Sequence, residues 1–87
     1  MVLQQQTQDL IARWIEPHPW RGAVAEARLK EIGISVWALI GYLRMVDGDP
    51  ARVAADYRIP EEAVTAAVAY YQQHRAAIDA RLAANAA

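Results

Sequence analysis

Arginines are the side chains of this sequence best equipped to act on a partner, since eight of them stand against a single lysine, Lys30. A guanidinium is planar, always charged, and donates through a fork that matches carboxylate or phosphate. Arg44, Arg52 and Arg58 lie close together along the chain, with Arg75 further on. Such a set could hold backbone phosphates, contacts that position a protein on nucleic acid without reading its sequence. Base reading would then fall to Pro60, Glu61, Glu62, Thr65, Ala66 and Ala69, just downstream. Glutamates accept from cytosine amino groups but repel phosphate, and no arginine among these six is placed to grip guanine. For each residue taken singly, a solvated helix face is the plainer reading.

Catalytic chemistry has little to stand on. His18 sits between Pro17 and Pro19, and His74 is far from it in sequence, with no carboxylate at metal-ligand spacing. Asp47-Gly48-Asp49 looks like a fragment of a calcium loop but lacks the other ligands, so turn chemistry explains it better. Ser35 is the sole serine and there is no cysteine, which excludes thiol catalysis, disulfides and zinc–thiolate sites. We therefore assign no catalytic residue, no metal ligand and no cofactor, and expect no enzyme.

These residues need elements to carry them. The 87 residues suffice for one domain with a modest core, and small domains of this kind often gain stability by pairing, so a homodimer is expected. A net charge of −1 is unlike that of a strongly basic nucleic-acid binder. No apolar run resembles a signal peptide or approaches the roughly 20 residues that span a bilayer, which points to a cytoplasmic protein.

Residues 1–9 are polar and glutamine-rich and read as a frayed start. Residues 10–35 read as a β-hairpin region, with short strands near Arg13 to Glu16 and Ala27 to Ile32, separated by the Pro17-His18-Pro19 turn. Trp14 and Trp20 fall in this thin part of the chain, and aromatic anchors of this kind suit a dimer interface. From residue 36 to 83 the pattern is helical. Ser35 would cap a helix carrying Val36, Leu39, Ile40, Leu43 and Val46 on one face, ended by Gly48. Asp49-Pro50 opens a short helix to Tyr57, and after Arg58-Ile59 Pro60 opens a long one to about Ala83, with Glu61 and Glu62 in its first turn.

The spacing from Asp49 to Val68 is that of a helix-turn-helix, with Ala54 at the close approach, Ile59 filling the turn, and Val64 and Val68 facing back. Arg58 stands where such turns often use glycine, and would be tolerated only if the turn took another shape. The expected fold is thus mainly α: a helix-turn-helix (homeodomain-like) three-helix core with a short N-terminal β-hairpin. The commonest use of that motif is to present its second helix to the DNA major groove. The alternative is a helical hairpin that binds protein and never touches DNA.

Ile34-Ser35-Val36, Asp56-Tyr57, Ala69-Tyr70-Tyr71, His74-Arg75 and Ile78-Asp79 together form a pattern. Over about Trp14 to Leu82 it resembles the domain of unknown function 433 family, regarded as VapB-like antitoxins. Where that family commonly has Gly-Gly before the second strand and Gly-Thr-Arg before the helix, this chain has Val24-Ala25 and Glu31-Ile32-Gly33. The resemblance implies an antitoxin that neutralises a PIN-like ribonuclease toxin by direct binding and represses its operon at operator DNA. Antitoxins often use a segment that orders on its toxin. Arg75, Ile78, Arg81 and Leu82, on the last helix, are the expected toxin contacts.

Overall fold

The computed structural model describes residues 2–16 and 23–86. The described chain is mainly helical with one small antiparallel β-hairpin: α1 (Val2–Trp14), β1 (Ile15–Glu16), a 3-10 turn (Val24–Glu26), β2 (Arg28–Leu29), α2 (Val36–Met45), α3 (Pro50–Tyr57), α4 (Glu61–Gln73) and α5 (Arg75–Ala86). Pro17-His18-Pro19 and Trp20 lie outside the described residues.

The start of the chain departs from expectation. Residues 2–9, read as frayed, belong to α1. Glutamine is a good helix former, Gln5 Nε2 donates to Asp9 Oδ1 at 2.9 Å one turn on, and Leu10, Ile11 and Trp14 dock the last turn on the core. Docking is what makes so polar a helix worthwhile, since isolated helices of this length are marginal in water.

The hairpin forms where expected but is shorter, because Arg13 and Trp14 finish α1 and Lys30 begins a turn. Ile15 pairs with Leu29 and Glu16 with Arg28. The period of two sends Ile15 and Leu29 into the core, while Glu16 and Arg28 put opposite charges on the outer face. Beyond β2 the chain folds back at once. Gly33 N–H donates to Leu29 O at 2.9 Å and Leu29 N–H to Ile34 O at 2.8 Å, a reversal that requires positive φ at Glu31 (62°) and Gly33 (80°). Ser35 stands at the N-cap of α2, but its side chain makes no cap bond; its backbone bridges to Arg28 instead.

The helical half follows its apolar periodicity. Val36, Leu39 and Ile40 are buried on α2, with Leu43 and Val46 half-buried beyond them. The helix stops through Asp47 (φ 58°) and Gly48 (φ 76°), with Gly48 N–H on Leu43 O. Asp49 then caps α3, its Oδ1 accepting from Ala51 N–H at 3.0 Å and Arg52 N–H at 3.3 Å, with Pro50 in the first turn. Arg58 does not evade the left-handed turn. It adopts φ 58°, ψ 48° itself, which lets Ile59 N–H reach back to Ala54 O at 3.0 Å and close the end of α3.

The largest correction concerns the last helix. In place of one helix from Pro60 to about Ala83, the chain breaks at His74 (φ −132°, ψ 36°) although no glycine or proline lies beyond Pro60. Packing causes the bend: Ile78 is fully buried, and α5 folds back across α2 and the 3-10 turn. Helices α2, α3 and α4 pack on one another, and α1 lies along α4. Ala63, Val64, Ala66, Ala67 and Tyr70 of α4 thus sit at the centre of the core. Among the described residues no helix is long and apolar enough to cross a membrane.

Candidate interaction surface

The helix expected to read bases, α4, is flanked along one side by α1. Gln73 at its end bonds Gln8, and Glu62 at its start takes two donors from the end of α1, so the two helices run antiparallel. Arg13 Nη1 approaches Glu62 Oε1 at 2.7 Å and the Trp14 indole N–H donates to the same oxygen at 2.8 Å. The Trp14 hydrogen bond, followed by that of Arg13, holds the Glu62 carboxyl below its usual range. Glu62 is therefore a clamp on α1 through Oε1, with its side chain about half exposed beside it. Ala66 is fully buried and Ala69 half-buried, which removes two of the expected groove-facing positions.

What remains outward on α4 is Glu61, Thr65 and Gln72, with Val68 half-buried. Thr65 Oγ1 donates back to Glu61 O at 3.1 Å, a bond within its own helix. Helix α4 contains no lysine or arginine, and its first turn carries two glutamates. Pro60, its N-cap, offers no side-chain hydrogen bond.

The arginines expected to grip phosphate are mostly engaged inside the chain. Arg44 Nη2 donates to Asp79 Oδ1 at 2.6 Å and to the Tyr71 hydroxyl at 2.9 Å, joining α2 to α4 and α5. The Tyr71 hydroxyl also donates to Asp79 at 2.7 Å, and this bond, then that of Arg44, lowers the Asp79 carboxyl. Arg52 Nε meets Asp56 Oδ2 at 2.7 Å across one turn of α3, and the Tyr42 hydroxyl donates to the same oxygen. Both bonds, Tyr42's the larger, lower Asp56, while the Tyr42 hydroxyl is raised chiefly by its bond to that carboxylate. Arg58 differs: it is exposed at the turn between α3 and α4 and makes no ion pair among the described residues. These surface pairs are exposed and individually weak.

The four expected toxin contacts separate likewise. Ile78 is a core residue with none of its surface exposed. Leu82 is half-buried against α2, where a Cβ on Gly41 would lie 3.1 Å from Leu82 Cδ2. Arg81 Nε bonds Glu26 Oε2 at 2.8 Å while its guanidinium lies 4.2 Å from the Trp37 ring centroid. Arg75 is exposed and rests over Tyr71 at 4.9 Å. Only Arg75 therefore presents its head outward with no carboxylate partner; Ile78 cannot touch a partner while α5 is docked. Trp14, expected between subunits, packs within its own chain.

The sequence reading missed α1 as a cover for α4, and with it Asp56, Tyr71 and Asp79 as anchors. One signal was present: Arg52 and Asp56 stand at the i, i+4 spacing of a helix-face pair. Arg44 and Asp79 are 35 positions apart, and nothing local announces them. No family model, curated protein or solved structure matches this chain.

Proposed function

We infer that this chain is an antitoxin-type protein-interaction module, which neutralises a PIN-like ribonuclease toxin by direct contact through a scaffold in which α2, α3 and α4 form a helix-turn-helix. One observation carries the emphasis on protein contact. The second helix of that unit, α4, has no basic residue, two glutamates in its first turn and a flank covered by α1. Helices that read the major groove contact base edges from their first turns with donors such as Arg, Lys, Asn or Gln. A helix with an acidic, partly covered first turn suits a protein partner better. The toxin itself comes from the resemblance carried by Ile34-Ser35-Val36, Asp56-Tyr57 and Ala69-Tyr70-Tyr71.

A second reading, that the same chain also represses its operon, is favoured by Arg58. It stands at the inter-helix turn, exposed and without an ion pair among the described residues, where it could meet operator phosphate in a homodimer. Two measurements separate the readings. Co-expression with a PIN-like ribonuclease encoded beside it should restore growth and yield a co-purifying complex; a ribonuclease that kills as efficiently with this chain as without it would defeat the proposal. A mobility shift on the chain's upstream DNA at two salt concentrations then tests repression. Equal affinity for that DNA and a scrambled duplex would remove operator reading and leave toxin binding untouched.

A further inference from the structure

The bend at His74 has no local cause. From Glu61 to Ala86 the chain contains only helix-compatible residues, yet the backbone ladder is interrupted: α4 ends with His74 N–H on Tyr70 O at 3.1 Å, and α5 begins with Ile78 N–H on His74 O at 3.1 Å. Such a break leaves the last carbonyls of α4 and the first amides of α5 without intrahelical partners. A straight helix would restore those bonds but lift α5 from α2, exposing Ile78 and Leu82 and parting Arg44 from Asp79 and Arg81 from Glu26. Bent monomer and straight monomer each forgo one set of interactions. A pair of chains need forgo neither.

We propose that this chain forms a domain-swapped dimer in which α4 and α5 fuse into one helix and α5 of each copy docks on α2 of the other. The occupant is specified by the cleft. Gly41 leaves room on α2 for a leucine at the position of Leu82, Ile78 enters the core, and Arg44 and Glu26 present opposite charges that fit Asp79 and Arg81 of the incoming helix. Every one of these contacts is already satisfied in the monomer, so the partner surface that fits them is the same α5 from a second copy. Exchange of an identical element is a low-cost route to a dimer, since the only new structure required is at the hinge. A fused helix of 26 residues, Glu61 through Ala86, would be about 39 Å long. That length carries α5 clear of its own α2.

The test uses the full chain and the hinge itself. Arg75 is the first residue of α5, where proline needs only a shift of His74 from ψ 36° toward extended backbone; in the interior of a fused helix proline is strongly disfavoured. Light scattering after size exclusion should show a dimer fraction of the unaltered chain that rises with concentration. Arg75→Pro should weaken dimerisation at least 100-fold while circular dichroism keeps the monomer's helix content. A chain that stays monomeric up to millimolar concentration, or a dimer that Arg75→Pro leaves as tight, overturns the proposal. Because the chain has no cysteine, a second measurement covers the case in which that variant fails to fold. A tagged Arg44→Cys chain is co-refolded with an untagged Asp79→Cys chain, a pair that joins α2 to α5 at the surface, and treated with a short bismaleimide. The swap gives a cross-linked heterodimer; its absence, while the double variant links within one chain, shows that α5 stays on its own α2.

Discussion

The indole N–H of Trp14 donates to Glu62 Oε1 at 2.8 Å, closing the last turn of α1 onto the first turn of α4 across 48 positions of sequence. Arg13 reinforces the same oxygen. Through this bond the polar amino-terminal helix becomes part of the tertiary structure, and the acidic start of α4 is fixed against it. The negative carboxylate also lies at the positive end of α4, where it is favoured.

Replacing Glu62 by alanine should lower the melting temperature and shift tryptophan emission to the red, as Trp14 loses its anchor and α1 loosens. Acid should act in the same direction. Glu62 is held below its ordinary 4.5, and Asp56 and Asp79 below 3.8, so the unfolded chain takes up these protons first. Their contribution is complete above about pH 4.5 and is lost as pH falls through the lower folded values. Urea titrations at several acidic pH values should therefore show falling stability, with a shallower fall for Glu62→Ala. Equal slopes for the two chains would mean the carboxylate is not held by α1 in solution.

Arg58→Gly should stabilise the fold. The left-handed conformation costs a side-chain-bearing residue roughly 1–2 kcal/mol, of which glycine returns part as extra unfolded-state entropy, leaving a gain of about 1 kcal/mol. Chemical denaturation measures it directly. If Arg58 also contacts operator phosphate, the same variant would bind that DNA more weakly with a flatter salt dependence, a gain in stability coupled to a loss of affinity.

Ile78→Ala should destabilise by about 2–5 kcal/mol, since the side chain is fully buried and the bent α5 limits relaxation. Ile78→Val should cost about 0.5–1.5 kcal/mol. Thermal melts followed by circular dichroism would rank the two. A loss of toxin binding in Ile78→Ala with unchanged stability would instead mean that α5 undocks to meet its partner.

Tyr70 is a smaller case with a clear partner. Its hydroxyl donates to Val24 O at 2.8 Å, and its ring is buried. Tyr70→Phe should cost about 1 kcal/mol, leaving the Val24 carbonyl short of a donor. Burial raises the Tyr70 hydroxyl above its ordinary 10.0. Its contribution is therefore whole below pH 10.0 and lost as pH rises through the higher folded value, and an alkaline denaturation curve should show less loss for the phenylalanine variant.

Local chemistry determined much of this protein from sequence alone. The apolar spacing of Val36, Leu39 and Ile40, the Asp49-Pro50 cap and the Gly48 stop delimit α2 and α3 within a residue or so, because each acts over a single turn of backbone. Short strands around Ile15 and Leu29 were legible too, but the register that pairs them joins separate segments and came from the fold. What the sequence could not decide were outcomes of competition between distant groups. Residues 2–9 become helix because Leu10, Ile11 and Trp14 find a surface to cover. Helix propensity alone would carry α4 through His74; the buried site for Ile78, with α5 packed on α2, bends it. The expected binding residues shifted for the same reason. Arg44 and Glu62 look free in a linear reading, but Asp79 and Trp14 reach them only after the chain has folded back on itself. Arg58 kept its expected place between the two helices and, exposed at that turn, makes no ion pair among the described residues.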